Sequence, residues 1–173
     1  MLCMTQDTFR PADIIAQVRT MLSADRHWTR LLAQAPNLHL AILVEPFLTY
    51  ILEGRKTIES RFTKNRVSPF ERVQVGDLLL LKRSSGPVVG MARVAHVEFL
   101  TLSQETWPRV HALSEQLCAD AGFWTARADK HYASLMHIGD VRPLRPFDVR
   151  KTDRRAWVIL RGSDQLELGP LCV

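Results

Sequence analysis

Residues 77–99, DLLLLKRSSGPVVGMARVAHVEF, constrain the fold of this chain more than any other stretch. Two aliphatic and β-branched runs flank Ser84-Ser85-Gly86-Pro87, a combination that reads as two strands joined by a tight turn. A second turn at Gly76-Asp77 sets where the first strand begins. A strand pair joined this closely must be antiparallel, because parallel neighbours need a long crossover. The second run, 88–99, is longer and carries Gly90, where a bend is expected. Further strand-like runs at 38–44, 56–62, 134–142 and 156–161 bring the strand count to about six. We therefore expect an α+β fold: a small, mainly antiparallel β-barrel with peripheral helices. Closing the sheet on itself protects edges that would otherwise pair with other chains.

The helices are expected near 11–34, 46–53 and 103–118. Pro11 suits a first helical turn, where its missing N–H costs nothing. Ile14, Val18, Met21, Trp28 and Leu32 then recur at helical spacing, with Ser23 as the cap between two segments. This apolar face is expected to pack on the barrel, with contact to a second subunit as the alternative; monomer and homodimer both remain open. Gly54 follows PFLTYILE as a helix stop, since glycine accepts the left-handed backbone at that position. Ser103 is the expected cap of the 103–118 helix, and a basic loop is expected around Pro143 and Pro146. The chain divides into an N-terminal helical arm, 1–37, and a barrel domain, 38–173. Leu43, Phe47, Ile51, Leu79, Leu81, Val89, Val94, Trp157 and Ile159 are the expected core.

The 23 basic and 18 acidic residues leave a net charge of +5, a modest excess that is unevenly placed. Residues 55–83 hold eight basic and three acidic groups, and residues 142–161 hold seven and two. If the fold joins these segments, they make a positive surface suited to phosphates. The three cysteines, Cys3, Cys118 and Cys172, match no disulfide framework or zinc knuckle, so a reducing, cytoplasmic setting is expected. The apolar runs fall far short of the roughly 20 residues that span a bilayer, so no membrane partner is expected.

No phosphate loop, dinucleotide fingerprint, nucleophile elbow or HExxH stands in the sequence. The six histidines are scattered. His131 and His137 bracket YASLM near Asp129 and Asp140, but ordinary, partly buried histidines explain them; no metal and no cofactor is expected. The richest chemistry lies in GRKTIESR, residues 54–61. A lysine beside a carboxylate is an anion hook or a proton shuttle, and an arginine offers planar recognition of phosphate or carboxylate. On a strand, Glu59 and Arg61 share a face.

PFLTYILEGRKTIESRF, followed by VQVGDLLLLKRSSGPVVGMARVAHVEF, resembles the ASCH domain, a PUA-like module. The resemblance rests on Gly54, Lys56, Glu59, Arg61, Gly76-Asp77 and the Gly86–Gly90 hairpin, and it covers about 38–161. It implies a PUA-like barrel with a cleft between the short helix and the barrel wall. It also implies RNA or a modified nucleoside or nucleotide as partner. The expected ligand-binding residues are Lys56, Glu59, Arg61, Lys82, Arg83 and Tyr132. Arg142 or Arg145 assists, and Trp124 is a second candidate for base stacking. The alternative implied is a hydrolase, either an amidohydrolase on an N-acylated cytidine or a ribonuclease, with Lys56 and Glu59 catalytic. The amidohydrolase pattern has a lysine, a threonine three residues on, and a distant glutamate. Here Glu59 occupies the threonine position, Thr57 lies two residues early, and Glu98 or Glu105 is the candidate for the distant group.

Overall fold

The computed structural model describes residues 9–151 and 154–162. Cys3 and Cys172 lie outside them. In chain order the elements are α1 (Pro11–Leu22), α2 (Arg26–Gln34), β1 (Leu38–Leu43), α3 (Phe47–Leu52), β2 (Ile58–Thr63), β3 (Leu78–Arg83) and β4 (Val88–Thr101). They continue with α4 (Trp107–His111), α5 (Ser114–Leu117), α6 (Ala121–Thr125), β5 (Tyr132–Phe147) and β6 (Trp157–Arg161). The six strands form one curled sheet in the order β2-β5-β4-β3-β1-β6. Its one parallel pair is β1 with β3; the other four pairs are antiparallel. This is a half-barrel with peripheral helices. Among the described residues no helix is long and apolar enough to cross a membrane.

Four consecutive leucines in β3 require a core on each face, because alternate side chains point to opposite sides. Leu78 and Leu80 pack with Ile14, Val18, Leu22, Trp28 and Leu32 of the arm and with Met91 and Leu160. Leu79 and Leu81 face inward, against Leu48 and Ile51 of α3 and against Ala92, Val94, Met136 and Trp157. The helical arm therefore covers the outer face of its own sheet. Arg142 of β5 secures it through an ion pair to Asp25. A third cluster forms where α4 and α5 meet β2 and β5, around Ile58, Val110, Leu117 and Leu135.

The Gly76-Asp77 turn does more than reverse the chain. Asp77 is fully buried and accepts from Asn37 N at 2.9 Å, Asn37 Nδ2 at 2.9 Å and Gln74 N at 2.9 Å. His39 Nε2 lies 2.8 Å from Oδ2, the oxygen that also accepts from Gln74 N, while Asn37 N bonds Oδ1. Trp157 Nε1 donates to His39 Nδ1 at 3.1 Å. Indole can only donate, so the imidazole accepts at Nδ1 and donates from Nε2 to Asp77. This buried relay ties β1, β3 and β6 together.

Several expectations are corrected. Asp25, not Ser23, caps α2: its Oδ1 accepts from Trp28 N at 3.1 Å. The 103–118 helix is two short segments. Pro108 has no N–H and its ring excludes a helical turn before it, so α4 begins only at Trp107. The Ser103 hydroxyl instead accepts from Glu105 N and Thr106 N in the turn before α4. β5 runs through Pro143 and Pro146 rather than ending in a loop. Beyond His137 only β4 pairs with β5, and the register shifts between Gly90 and Val88, the kind of irregular, one-sided pairing in which a strand tolerates proline. Ile159, on edge strand β6, is 39% exposed, while Phe47 and Val89 are half-buried.

Candidate functional site

The curl of the sheet brings edge strand β2 back toward β1 and β6. Among the described residues no ladder joins β2 to β1 or to β6; one side chain bridges the gap instead. Arg61 of β2 donates from NH2 to the Ile42 carbonyl of β1 at 2.8 Å. Its guanidinium also lies 5.2 Å from the centre of the Trp157 ring of β6, a cation–π contact. Trp157 is held from behind by the His39–Asp77 relay.

Beside this bridge lies a cleft of about 780 Å³. α3 closes through Glu53 into Gly54, whose φ of +74° suits glycine. Arg55 N and Lys56 N then both donate to the Tyr50 carbonyl, and Thr57 N donates to the Gln116 carbonyl of α5. This fold of the chain sends Lys56 inward. Its ammonium bonds the Ile58 carbonyl and lies 3.4 Å from Glu59 Oε2. Arg61 Nε lies 3.0 Å from Glu59 Oε1, an ion pair whose N–H is not aimed along a hydrogen bond. Lys56 and Glu59 are buried, their side chains 2% and 5% exposed. One carboxylate thus sits between two cations at the floor of the cleft. Burial pushes the Lys56 ammonium below its ordinary range, and the Glu59 charge opposes that shift without cancelling it.

Around this floor the walls are cationic. Lys82, Arg127, Lys130, Lys151, Arg154 and Arg155 line the cleft with Lys56 and Arg61, and Glu59 is the single carboxylate among the described lining residues. Burial likewise lowers the Lys82 ammonium; it bonds the carbonyls of Arg83 and Gly86. Arg127 donates to the Phe123 carbonyl at 2.8 Å and lies over the Phe123 ring. Phe47, Phe62 and Phe123 supply the apolar part of the wall.

Of the expected ligand-binding residues, the structure brings Lys56, Glu59, Arg61 and Lys82 together. Arg83 lies outside the lining and pairs with Glu45. Tyr132 also lies outside it, packed against Phe70 and beneath Arg66. Arg142 is committed to the arm, Arg145 is exposed on β5, and Trp124 stacks on His111 at 4.2 Å within the helical cap. Neither Glu98 nor Glu105 borders the cleft: Glu98 pairs with Arg109, and Glu105 is exposed in the turn before α4. Arg127 and Lys130 come from the α6–β5 connection, which the sequence marks only by its aromatic opening at Phe123-Trp124. Lys151, Arg154 and Arg155 belong to the second basic segment, whose charge excess was the signal that could have found them.

No family description and no curated protein matches this sequence. Solved structures do match it. The ASCH protein of Zymomonas mobilis aligns with a TM-score of 0.58 at 16% identity, over 77% of this chain and 94% of that one. Two single-substitution variants of the same protein align with a TM-score of 0.57 each, also at 16% identity. The S-to-A variant covers the same shares, and the Y-to-F variant covers 76% of this chain and 96% of its own. The chain thus shares the fold of that ASCH protein over about three quarters of its length.

Proposed function

We propose that this chain binds single-stranded RNA or a modified nucleotide, with one phosphate-bearing unit seated in the cleft between α3 and the half-barrel wall. The observation that carries this reading is the charge of the cleft: eight cationic side chains surround a single, already neutralised carboxylate. Such a lining selects anions, and phosphate is the anion that arginine forks and lysine ammonium groups hold best. The volume fits one nucleotide-sized unit, because ligand sites fall at roughly 300–1,000 Å³. The aromatic wall gives a base an apolar surface. The choice of RNA over DNA rests on the likeness to ASCH domains. Titrating a short single-stranded RNA at two ionic strengths tests the reading: affinity falls as salt rises, and absence of binding at low salt rejects it.

A hydrolase reading has one observation of its own. Lys56 is buried, burial pushes its ammonium below its ordinary range, and Glu59 stands 3.4 Å away. In that reading Glu59 takes a proton from water as the water oxygen bonds the scissile centre, Arg61 and Lys82 stabilise the developing oxyanion, and Lys56 hands a proton to the leaving group as its bond breaks. Acylated cytidines and single-stranded RNA, assayed with wild type and Lys56→Ala, distinguish the two readings. Turnover abolished by the substitution makes the protein an enzyme; tight binding without turnover makes it a binding module.

A further inference from the structure

The outer face of the sheet carries a second constellation that the cleft does not use. His96 and Glu98 are two residues apart on β4, so they share a face. His137 of β5 lies directly opposite His96 in the ladder, and opposed residues of antiparallel strands point to the same side. The backbone thus gathers two imidazoles and a carboxylate at one spot, although the histidines are 41 positions apart and only the structure brings them together. One ligand atom from each residue lies within 4.8 Å of the other two. His96 Nε2 is 3.6 Å from Glu98 Oε1. Two ligands each about 2.0 Å from a tetrahedral metal are about 3.3 Å apart, so a small rotamer adjustment closes the site.

Two further features fit a site for a cation. His137 Nε2 is buried and has no hydrogen-bond partner, an unmet valence at the edge of the cluster. Glu98 is oriented from outside: Arg109 of α4 holds Oε2, which leaves Oε1 toward His96. Partners of this kind commonly fix ligating carboxylates. The strands also need fastening here, because the β4–β5 register shifts between Val94 and His96.

We propose that His96, Glu98 and His137 form a three-ligand site for a divalent transition metal of the zinc type. The mixed imidazole and carboxylate set suits zinc, and three protein ligands leave a position for water or an exogenous donor. The metal pins β4 to β5 at the bulge beside α4. The cleft opens on the opposite face of the sheet, where Glu59 and its ladder partner Met136 point inward. Metal binding and RNA binding are therefore separate properties, and failure of one leaves the other standing.

The test uses full-length protein without a polyhistidine tag, stripped with chelator and titrated with zinc chloride by calorimetry. Cobalt(II) absorption reports the geometry. The expected result is one equivalent of zinc, tetrahedral cobalt bands and a raised melting temperature. His96→Ala and His137→Ala each weaken binding by at least about 10-fold, because losing a ligand costs no less than losing its outer partner. His96→Ala is the safer variant, since its side chain is 58% exposed and its removal leaves the core intact. Cys118→Ser, the control, binds as wild type does. No zinc binding by the wild type, or equal binding by the His96→Ala/His137→Ala double variant, overturns the proposal.

Discussion

Replacing Glu59 with glutamine removes the one negative charge between Lys56 and Arg61 while keeping the shape of the side chain. The two contacts, 3.4 Å and 3.0 Å, are each worth about 5 kcal/mol by Coulomb's law at an effective dielectric of about 20, before desolvation. Desolvation offsets part of this, and breaking a buried pair by removing one partner costs about 3–5 kcal/mol. Arg61 is partly hydrated at 17% exposure, so the Lys56 ammonium suffers most. Urea denaturation at pH 7 should show Glu59→Gln about 3 kcal/mol less stable than wild type. Adding Lys56→Met removes the stranded charge and should restore at least about half of that loss. The sign of the pH dependence follows from burial. Lys56 binds its proton less tightly folded than unfolded, so between its lowered pKa and 10.5 the unfolded chain holds more protons. Stability conferred through Lys56 therefore rises with pH across that window, by at most about 1.4 kcal/mol per unit, and Lys56→Met abolishes that slope. A Glu59→Gln protein within about 0.5 kcal/mol of wild type, or a double variant no more stable than the single, would refute the buried-pair argument.

Asp77→Ala strands four donors, three of them on buried residues, and should cost about 3–5 kcal/mol in the same urea assay. Arg83→Ala breaks the exposed pair with Glu45, leaves the Glu45 contacts with Thr49 in place, and should cost less than about 1 kcal/mol. Leu79→Ala, in the inner core, should cost about 2–5 kcal/mol through lost burial and the cavity left behind; a loss under about 0.5 kcal/mol would contradict its central placement.

The hairpin at 78–99 was legible because its apolar runs and turn residues act locally, whereas the second core, on Leu78 and Leu80, forms only where the arm packs on the sheet. Lys56, Glu59 and Arg61 were legible because they lie within six residues, where strand parity and the Gly54 stop decide their direction. Arg83 and Tyr132 show the limit of that reasoning. Basic or aromatic character does not say which way a side chain at the end of a strand points, and here Glu45 and Phe70 engage them. The cationic wall from Arg127 and Lys130 depends on how the α6–β5 connection folds over the sheet, a long-range event with no local signal. The His96–His137 pairing depends on the register of two long strands that bulge, and register is set by the whole sheet rather than by either strand.

The salt dependence of single-stranded RNA binding, measured for wild type and three substitutions, tests the cleft most directly. Each phosphate-contacting cation contributes about 0.7 to the slope of log K against log salt. Lys130→Ala and Arg154→Ala, in the cleft wall, should each weaken binding and flatten the slope by about that amount. Arg109→Ala, on the outer face beside Glu98, should leave both unchanged. Equal losses from all three substitutions, or a wild-type protein that binds no RNA at low salt, would contradict the placement of the binding site in this cleft.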